Sequence, residues 1–151
     1  EELYVTNTHS GTISVIDAEK DEVTATIPLG GGVPNRIVLT PDGKQAWVPN
    51  RLSGDVSIFD VASGDLLATI PNVGDKTDII AFSPDGTRAF VTTRGEAQTG
   101  DPKVVSGKEP GLSVIDVASR TVAKKVSLGG DPHGVAVRAV GGGAPAGASG
   151  Y

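Results

Sequence analysis

The sequence has no cysteine and no methionine, and only two histidines in 151 residues. Without cysteine there are no disulfides and no thiolate metal sites, while the compartment stays open. Methionine is missing even at position 1, which predicts a processed start or a piece of something longer. With His9 and His133 as the only imidazoles, a transition-metal or haem site, which normally draws on several imidazole, thiolate or carboxylate ligands, has little to draw on. Basic residues are outnumbered, 13 Lys and Arg against 18 Asp and Glu. The resulting net charge of −5, with the basic residues scattered rather than striped, argues against a nucleic-acid partner. No apolar run approaches the roughly 18 residues of a membrane span, and no window places apolar residues at helical spacing.

What is present is repetition. Leu3-Tyr4-Val5-Thr6-Asn7 returns as Ala46-Trp47-Val48-Pro49-Asn50 and as Ala89-Phe90-Val91-Thr92-Thr93, 43 residues apart both times. Behind each copy follows a second segment: Ile13 to Asp17, Val56 to Asp60, Leu112 to Asp116. The third is Val23 to Ile27, Leu66 to Ile70 and Val122 to Val126; the fourth is Ile37 to Leu39, Ile80 to Phe82 and Val135 to Val137. Four short β-like runs per period of about 40 residues predict an all-β protein, a β-propeller of four-stranded antiparallel blades with three repeats in this chain. The repeats run about 3–44, 45–87 and 88–138, within one unit spanning 1–138, and the Gly- and Ala-rich stretch 139–151 reads as a flexible tail or linker.

The third segment alternates Val23, Ala25 and Ile27 against Thr24 and Thr26, the pattern of an outermost strand with one buried face. The apolar fourth segment suits the innermost strand. Thr40-Pro41-Asp42-Gly43 and Ser83-Pro84-Asp85-Gly86 are tight turns, with Pro presetting φ and Gly free to take φ > 0. Asp17, Asp60 and Asp116 recur at the same place in each repeat, which turn geometry explains better than acid catalysis.

Tyr4-Val5-Thr6-Asn7, Gly11-Thr12-Ile13-Ser14-Val15-Ile16-Asp17 and Thr40-Pro41-Asp42-Gly43 together resemble the YVTN family of β-propeller repeats, over residues 3 to about 138. The resemblance implies an extracellular, cell-surface or periplasmic protein, as in archaeal surface layers. The family and its relatives include scaffolds, lactonases and haem- or copper-bearing electron-transfer propellers, so the likeness does not choose an activity.

Three repeats do not close a ring of 4–8 blades. With the innermost strand first in each blade, the family's order, the chain opens on the second to fourth strands of one blade and ends on an innermost strand lacking its followers. Each flank would leave roughly 800 Å² raw, too large an apolar face to stay wet. The expected partners are therefore a second copy closing a six-bladed ring, or the remaining blades of a longer chain.

Antiparallel blades put the links before the fourth segments on the same rim as the links between the first and second. Asn35, Asp78 and His133 then occupy equivalent positions at the channel mouth, with Arg36 one step away. The third repeat also carries a long polar excursion, Arg94 to Pro110, whose Arg94, Glu96, Asp101, Lys103 and Lys108 would form a loop on that rim. His9 reads as a solvated turn residue and His133 as the only metal-ligand candidate. No G-x-S-x-G, HExxH or Gly-rich loop with Lys-Ser/Thr is present, and no haem-attachment motif. The leading expectation is a non-enzymatic, cofactor-free scaffold or binding module, taking a protein or small-molecule ligand on the rim. The alternative is a lactonase-like enzyme or a metal- or haem-associated redox propeller, in which Asp78 or His133 is the base and Arg36 the stabilising cation.

Overall fold

The computed structural model describes residues 1–29, 33–95 and 107–139. These form β1 (Glu2–Asn7), β2 (Thr12–Asp17), β3 (Glu22–Pro28), β4 (Val38–Leu39), β5 (Gln45–Asn50), β6 (Asp55–Asp60), β7 (Leu66–Ile70), β8 (Thr77–Phe82), β9 (Arg88–Thr93), β10 (Gly111–Asp116) and β11 (Thr121–Ser127). Three antiparallel sheets result, in the orders β1-β2-β3, β4-β5-β6-β7 and β8-β9-β10-β11, with no helix among the described residues. The all-β propeller expectation holds, and β4 and β8, the fourth segments of their repeats, open the two four-stranded sheets. Residues 140–151 of the 139–151 tail and most of the long excursion lie outside the described residues.

The twelfth expected strand is absent: Val135, Ala136 and Val137 are described but form no ladder. Apolar residues make a strand only where a neighbour supplies backbone groups, and no described residue pairs with this segment. The third-segment pattern also needs correction. Opposite β3 the register shifts between Val15 and Ile16, so Val15 faces Ala25 while Ile16 faces Val23, leaving Thr24 as the extra residue. This bulge turns Val23 onto the face opposite Ala25 and Ile27. The same bulge recurs opposite β7 between Ile58 and Phe59, and opposite β11 between Val114 and Ile115.

Two apolar clusters bind the sheets. Ile13 and Leu29 pack with Ala46, Val48 and Phe59 between the first and second sheets, flanked by Tyr4, Ile27, Ile37 and Val61. Trp47, Val56, Ile58 and Ile70 pack with Ile80, Ala89, Val91 and Ile115 between the second and third. Trp47 meets Phe82 edge to face at 5.3 Å. Each fully buried aliphatic side chain here contributes about 1.5–3 kcal/mol. The middle sheet is thus covered on both faces.

The turns follow their residues. Gly43 N–H donates to the Thr40 carbonyl at 2.8 Å with φ +70°, and the Thr40 hydroxyl donates to Asp42 at 2.6 Å. Gly86 and Ser83 repeat the arrangement, and the Ser83 hydroxyl with the Thr87 N–H pulls the Asp85 carboxyl down to about 2. Asp17, Asp60 and Asp116 accept backbone N–H groups of Glu19, Ser63 and Ser119 at 2.8–2.9 Å, which is turn capping. The Asn7 amide donates to Thr12 and Ser14, and the Asn50 amide to Asp55 and Ser57, so the motif asparagine ties the ends of two neighbouring strands.

Candidate functional site

The rim that the sequence singles out is built by a bulge at the start of each innermost strand. Pro34 faces Asn50 and Val38 faces Trp47, so the inner strand carries one residue more than its neighbour between those pairs. Thr77 faces Thr93 and Ile80 faces Val91, again with one extra. Asn35 and Asp78 sit in these two bulges, where the irregular backbone re-aims a side chain toward the rim. His133 has no ladder, but its carbonyl accepts the Thr92 hydroxyl at 3.0 Å, as the Asn35 carbonyl accepts the Thr6 hydroxyl. Thr6 and Thr92 are equivalent in the repeat, so Asn35 and His133 hold equivalent places.

Asp78 is the hub. Its carboxylate is buried, and Oδ1 accepts the Asn35 amide and the Arg51 guanidinium. The Asn35 amide also donates to the Asp78 carbonyl at 2.9 Å. Oδ2 lies 2.9 Å from His133 Nδ1 and 3.6 Å from Arg94 Nη1, neither contact a hydrogen bond. Arg94, itself buried, forks onto Asp131 through Nε at 2.6 Å and Nη2 at 2.5 Å, and Gly95 N–H adds 3.1 Å. His133 Nε2 is 3.7 Å from Asp131 Oδ2. The Asp131 fork, with Asp78 behind it, raises the Arg94 pKa further; the same fork holds the Asp131 carboxyl below the usual carboxylate range.

Of the residues expected at the mouth, Asn35, Asp78 and His133 come together and Arg36 does not. Arg36 is exposed, with no ion pair or side-chain hydrogen bond among the described residues. Its direction follows from the bulge, which turns Asn35 to the hub and its successor away. The cations on Asp78 are Arg51 and Arg94. Arg94 was expected on the loop, but it is anchored in the hub; Lys108 stays exposed, its N–H donating to Asp75 at 2.8 Å. Glu96, Asp101 and Lys103 lie outside the described residues.

Arg51 and Asp131 went unrecognised in the sequence. The signal was there for Arg51: it and Arg94 follow the motif ends Asn50 and Thr93 at one repeat spacing, where the first copy has Thr8. Thr8 crosses the equivalent junction with a hydroxyl, donating to the Pro34 carbonyl at 3.1 Å. Asp131 had no such signal, because the equivalent residue in the first copy is Val33.

Chemically the hub is a closed charge network spanning two sheets and the segment after β11. Asp78 is already shared among two guanidiniums, an amide and an imidazole, and its buried position keeps it from an incoming substrate. His133, whose side chain is 56% exposed, is the part that a ligand can touch. Among the described residues, no group of three His, Cys, Asp or Glu side chains is arranged to hold a metal ion. Both His133 nitrogens face carboxylates, and His9 stands apart on the exposed first turn, so His133 is the one imidazole at the hub.

No protein-family model and no curated protein matches the sequence. Among solved structures, the chain is similar to a candidate 6-phosphogluconolactonase from Bacteroides uniformis, with TM-score 0.71 and 20% identity over 91% of this chain and 41% of that one. It is similar to the dihydro-heme d1 dehydrogenase NirN in complex with DHE, with TM-score 0.62 and 18% identity over 83% of this chain and 24% of that one. It is also similar to the hydrazine synthase of Kuenenia stuttgartiensis, with TM-score 0.59 and 23% identity over 84% of this chain and 46% of that one. The chain spans less than half the length of each, and at these identities the likeness is one of fold: stacked blades of a β-propeller.

Proposed function

We propose that this chain is a non-enzymatic binding scaffold of the YVTN type, working outside the cytoplasm as a set of blades that further blades complete, with ligands met on the rim that bears His133. The repeats' sequence resemblance supports the type and the location. One observation carries the scaffold reading: Val5 is 45% exposed, while its equivalents Val48 and Val91 are 0% exposed. The first sheet therefore has the sequence of a covered blade and lacks the cover. Its three strands, where its neighbours have four, leave the inner edge of β1 unpaired among the described residues.

Native-state hydrogen exchange tests the reading. If other blades complete the sheet, amides along β1 exchange as slowly as those along β5. Fast exchange along β1 beside protected β5 removes assembly from the proposal.

A second reading, small-molecule binding or turnover at the mouth, is favoured by the half-exposed His133 over a buried Asp78 flanked by two arginines. The solved neighbours named for a lactonase and for a haem-related dehydrogenase belong to that side. Metal analysis of the purified protein and a His133→Ala comparison separate the two. No bound metal and unchanged affinity for every ligand found leave the scaffold reading alone.

A further inference from the structure

We infer that the cleft between the second and third sheets, on the same rim but beside β11, is a binding site for a small organic monoanion with an apolar body, its charged head held by Lys108 and Lys125. This goes beyond the reading above: the hub, His133 and the uncovered first sheet take no part in it, and its failure leaves that reading standing.

The cleft holds about 380 Å³, within the range of small-molecule sites. It opens where the third repeat departs from the other two at three positions that meet in space. The first and second sheets fill this corner with an asparagine. Asn7 and Asn50 stand opposite Thr12 and Asp55, and each amide donates to that partner and to the serine two residues on, Ser14 or Ser57. The third sheet has the shorter Thr93, opposite Gly111 with no side chain at all. The third change stands beside them. Ser14 and Ser57 face Thr26 and Thr69 across the outer strand pair, whereas Ser113 faces Lys125. A filled corner becomes an open one with a cation on its wall.

Gly74, from the link between β7 and β8, completes the floor. A Cβ there would lie 2.2 Å from Thr93 Cγ2, and one on Gly111 would lie 2.7 Å from the Val126 carbonyl oxygen. Both positions exclude a side chain, so the floor stays bare.

The free donors select the ligand. The Thr93 hydroxyl donates to the Glu109 carbonyl at 2.8 Å and the Ser113 hydroxyl to the Val73 carbonyl, so both hydroxyl protons of the floor are spent inside the protein. Gly74 N–H is spent on the Gly54 carbonyl and Leu128 N–H on that of Pro110. What remains is the ammonium groups of Lys108 and Lys125, both residues exposed and neither in an ion pair among the described residues. Glu109 also lines the cleft, so two cations and one carboxylate suit a single negative charge. Val73, Pro110, Val126 and Leu128 supply the apolar wall.

Titration of the chain with benzoate and with hexanoate, followed by amide NMR spectra, tests the site. Saturable shifts below about 10 mM are expected at Gly74, Gly111, Ser113 and Leu128, a weak affinity that suits ligands of so few atoms. Benzamide, the uncharged counterpart of benzoate, is expected to bind more weakly. Lys108→Gln and Lys125→Gln are each expected to weaken benzoate about 2–5-fold, the worth of one exposed charge contact. Lys124 faces Val114 on the opposite side of β11, so Lys124→Gln loses the same charge and is expected to change nothing. Absence of saturable shifts with both anions overturns the inference. Shifts confined to Gly95, Asp131 and His133 overturn it too, handing the anion to the hub. An equal loss in Lys124→Gln and Lys125→Gln also overturns it, because general positive charge then suffices.

Discussion

The first and middle sheets are near-copies in sequence and opposites in environment. Tyr4 and Trp47, Val5 and Val48, Ile16 and Phe59 occupy equivalent strand positions, yet β5 is buried over five of its six residues while no residue of β1 is. One side chain type in one backbone position is core or surface according to what lies beside the sheet. A repeat fixes the shape of a blade; its stability comes from its neighbours.

The largest expected effect sharpens this contrast. Trp47→Ala removes a fully buried ring packed against Phe82 and is expected to cost about 3–5 kcal/mol in urea unfolding. Tyr4→Ala at the equivalent place is expected to cost about 1–2 kcal/mol, because that ring is half-buried and its hydroxyl meets Glu2 and the Val61 carbonyl. Burial and the Glu2 contact push the Tyr4 phenol up to about 12, so it stays a donor throughout the accessible range. Equal costs for the two variants would mean that the sheets are equally covered in solution.

The junctions differ in chemistry as well. Arg51 crosses from the middle sheet to a buried Asp78, whereas Thr8 crosses from the first with one hydroxyl. Asp78→Asn is expected to cost about 3 kcal/mol, since it strands two guanidiniums beside a buried neutral group. Thr8→Ala is expected to cost about 1 kcal/mol. If Asp78→Asn unfolds at the wild-type urea midpoint, the network is not a clamp and the ligand reading of the mouth strengthens.

Much of this is legible in the sequence. The strand set, the Pro-Asp-Gly turns and the mouth trio Asn35, Asp78 and His133 follow from the repeat, because equivalent residues meet equivalent surroundings. What was missed lies where the repeat is broken by geometry or by substitution. The β3 bulge sends Val23 to the other face, and no alternation pattern marks an extra residue. Arg36 reads as a partner of the mouth until the Pro34–Val38 bulge turns it out. Residues 135–137 have strand composition without a ladder, since pairing belongs to two segments and the sequence of one is silent about the other.

A third contrast sits at one side chain. Val48→Ala is expected to cost about 2 kcal/mol, at roughly 0.8 kcal/mol per lost CH₂ group plus a residual cavity. Val5→Ala is expected within about 0.5 kcal/mol of wild type if its face is bare, and near the Val48 value if it is covered. Run at two protein concentrations, the Val5 variant therefore also reports assembly.

The smallest effect concerns acid. The Arg94 fork, with the Gly95 N–H, holds the Asp131 carboxyl below its ordinary range of about 3.9. A group whose folded pKa is depressed stabilises the fold fully above its unfolded value, and that contribution is lost as pH falls through the folded value. The urea midpoint is therefore expected to decline below about pH 4, and Asp131→Asn is expected to make that decline shallower while lowering the midpoint at neutral pH. The first junction should not share this behaviour, because the Thr6 and Thr8 hydroxyls that cross it onto carbonyls do not titrate. Amide exchange read sheet by sheet at pH 3 and pH 6 would separate the two. Loosening of β8–β11 ahead of β1–β3 is the expected order, and the reverse would place the acid-sensitive contact elsewhere than at Asp131.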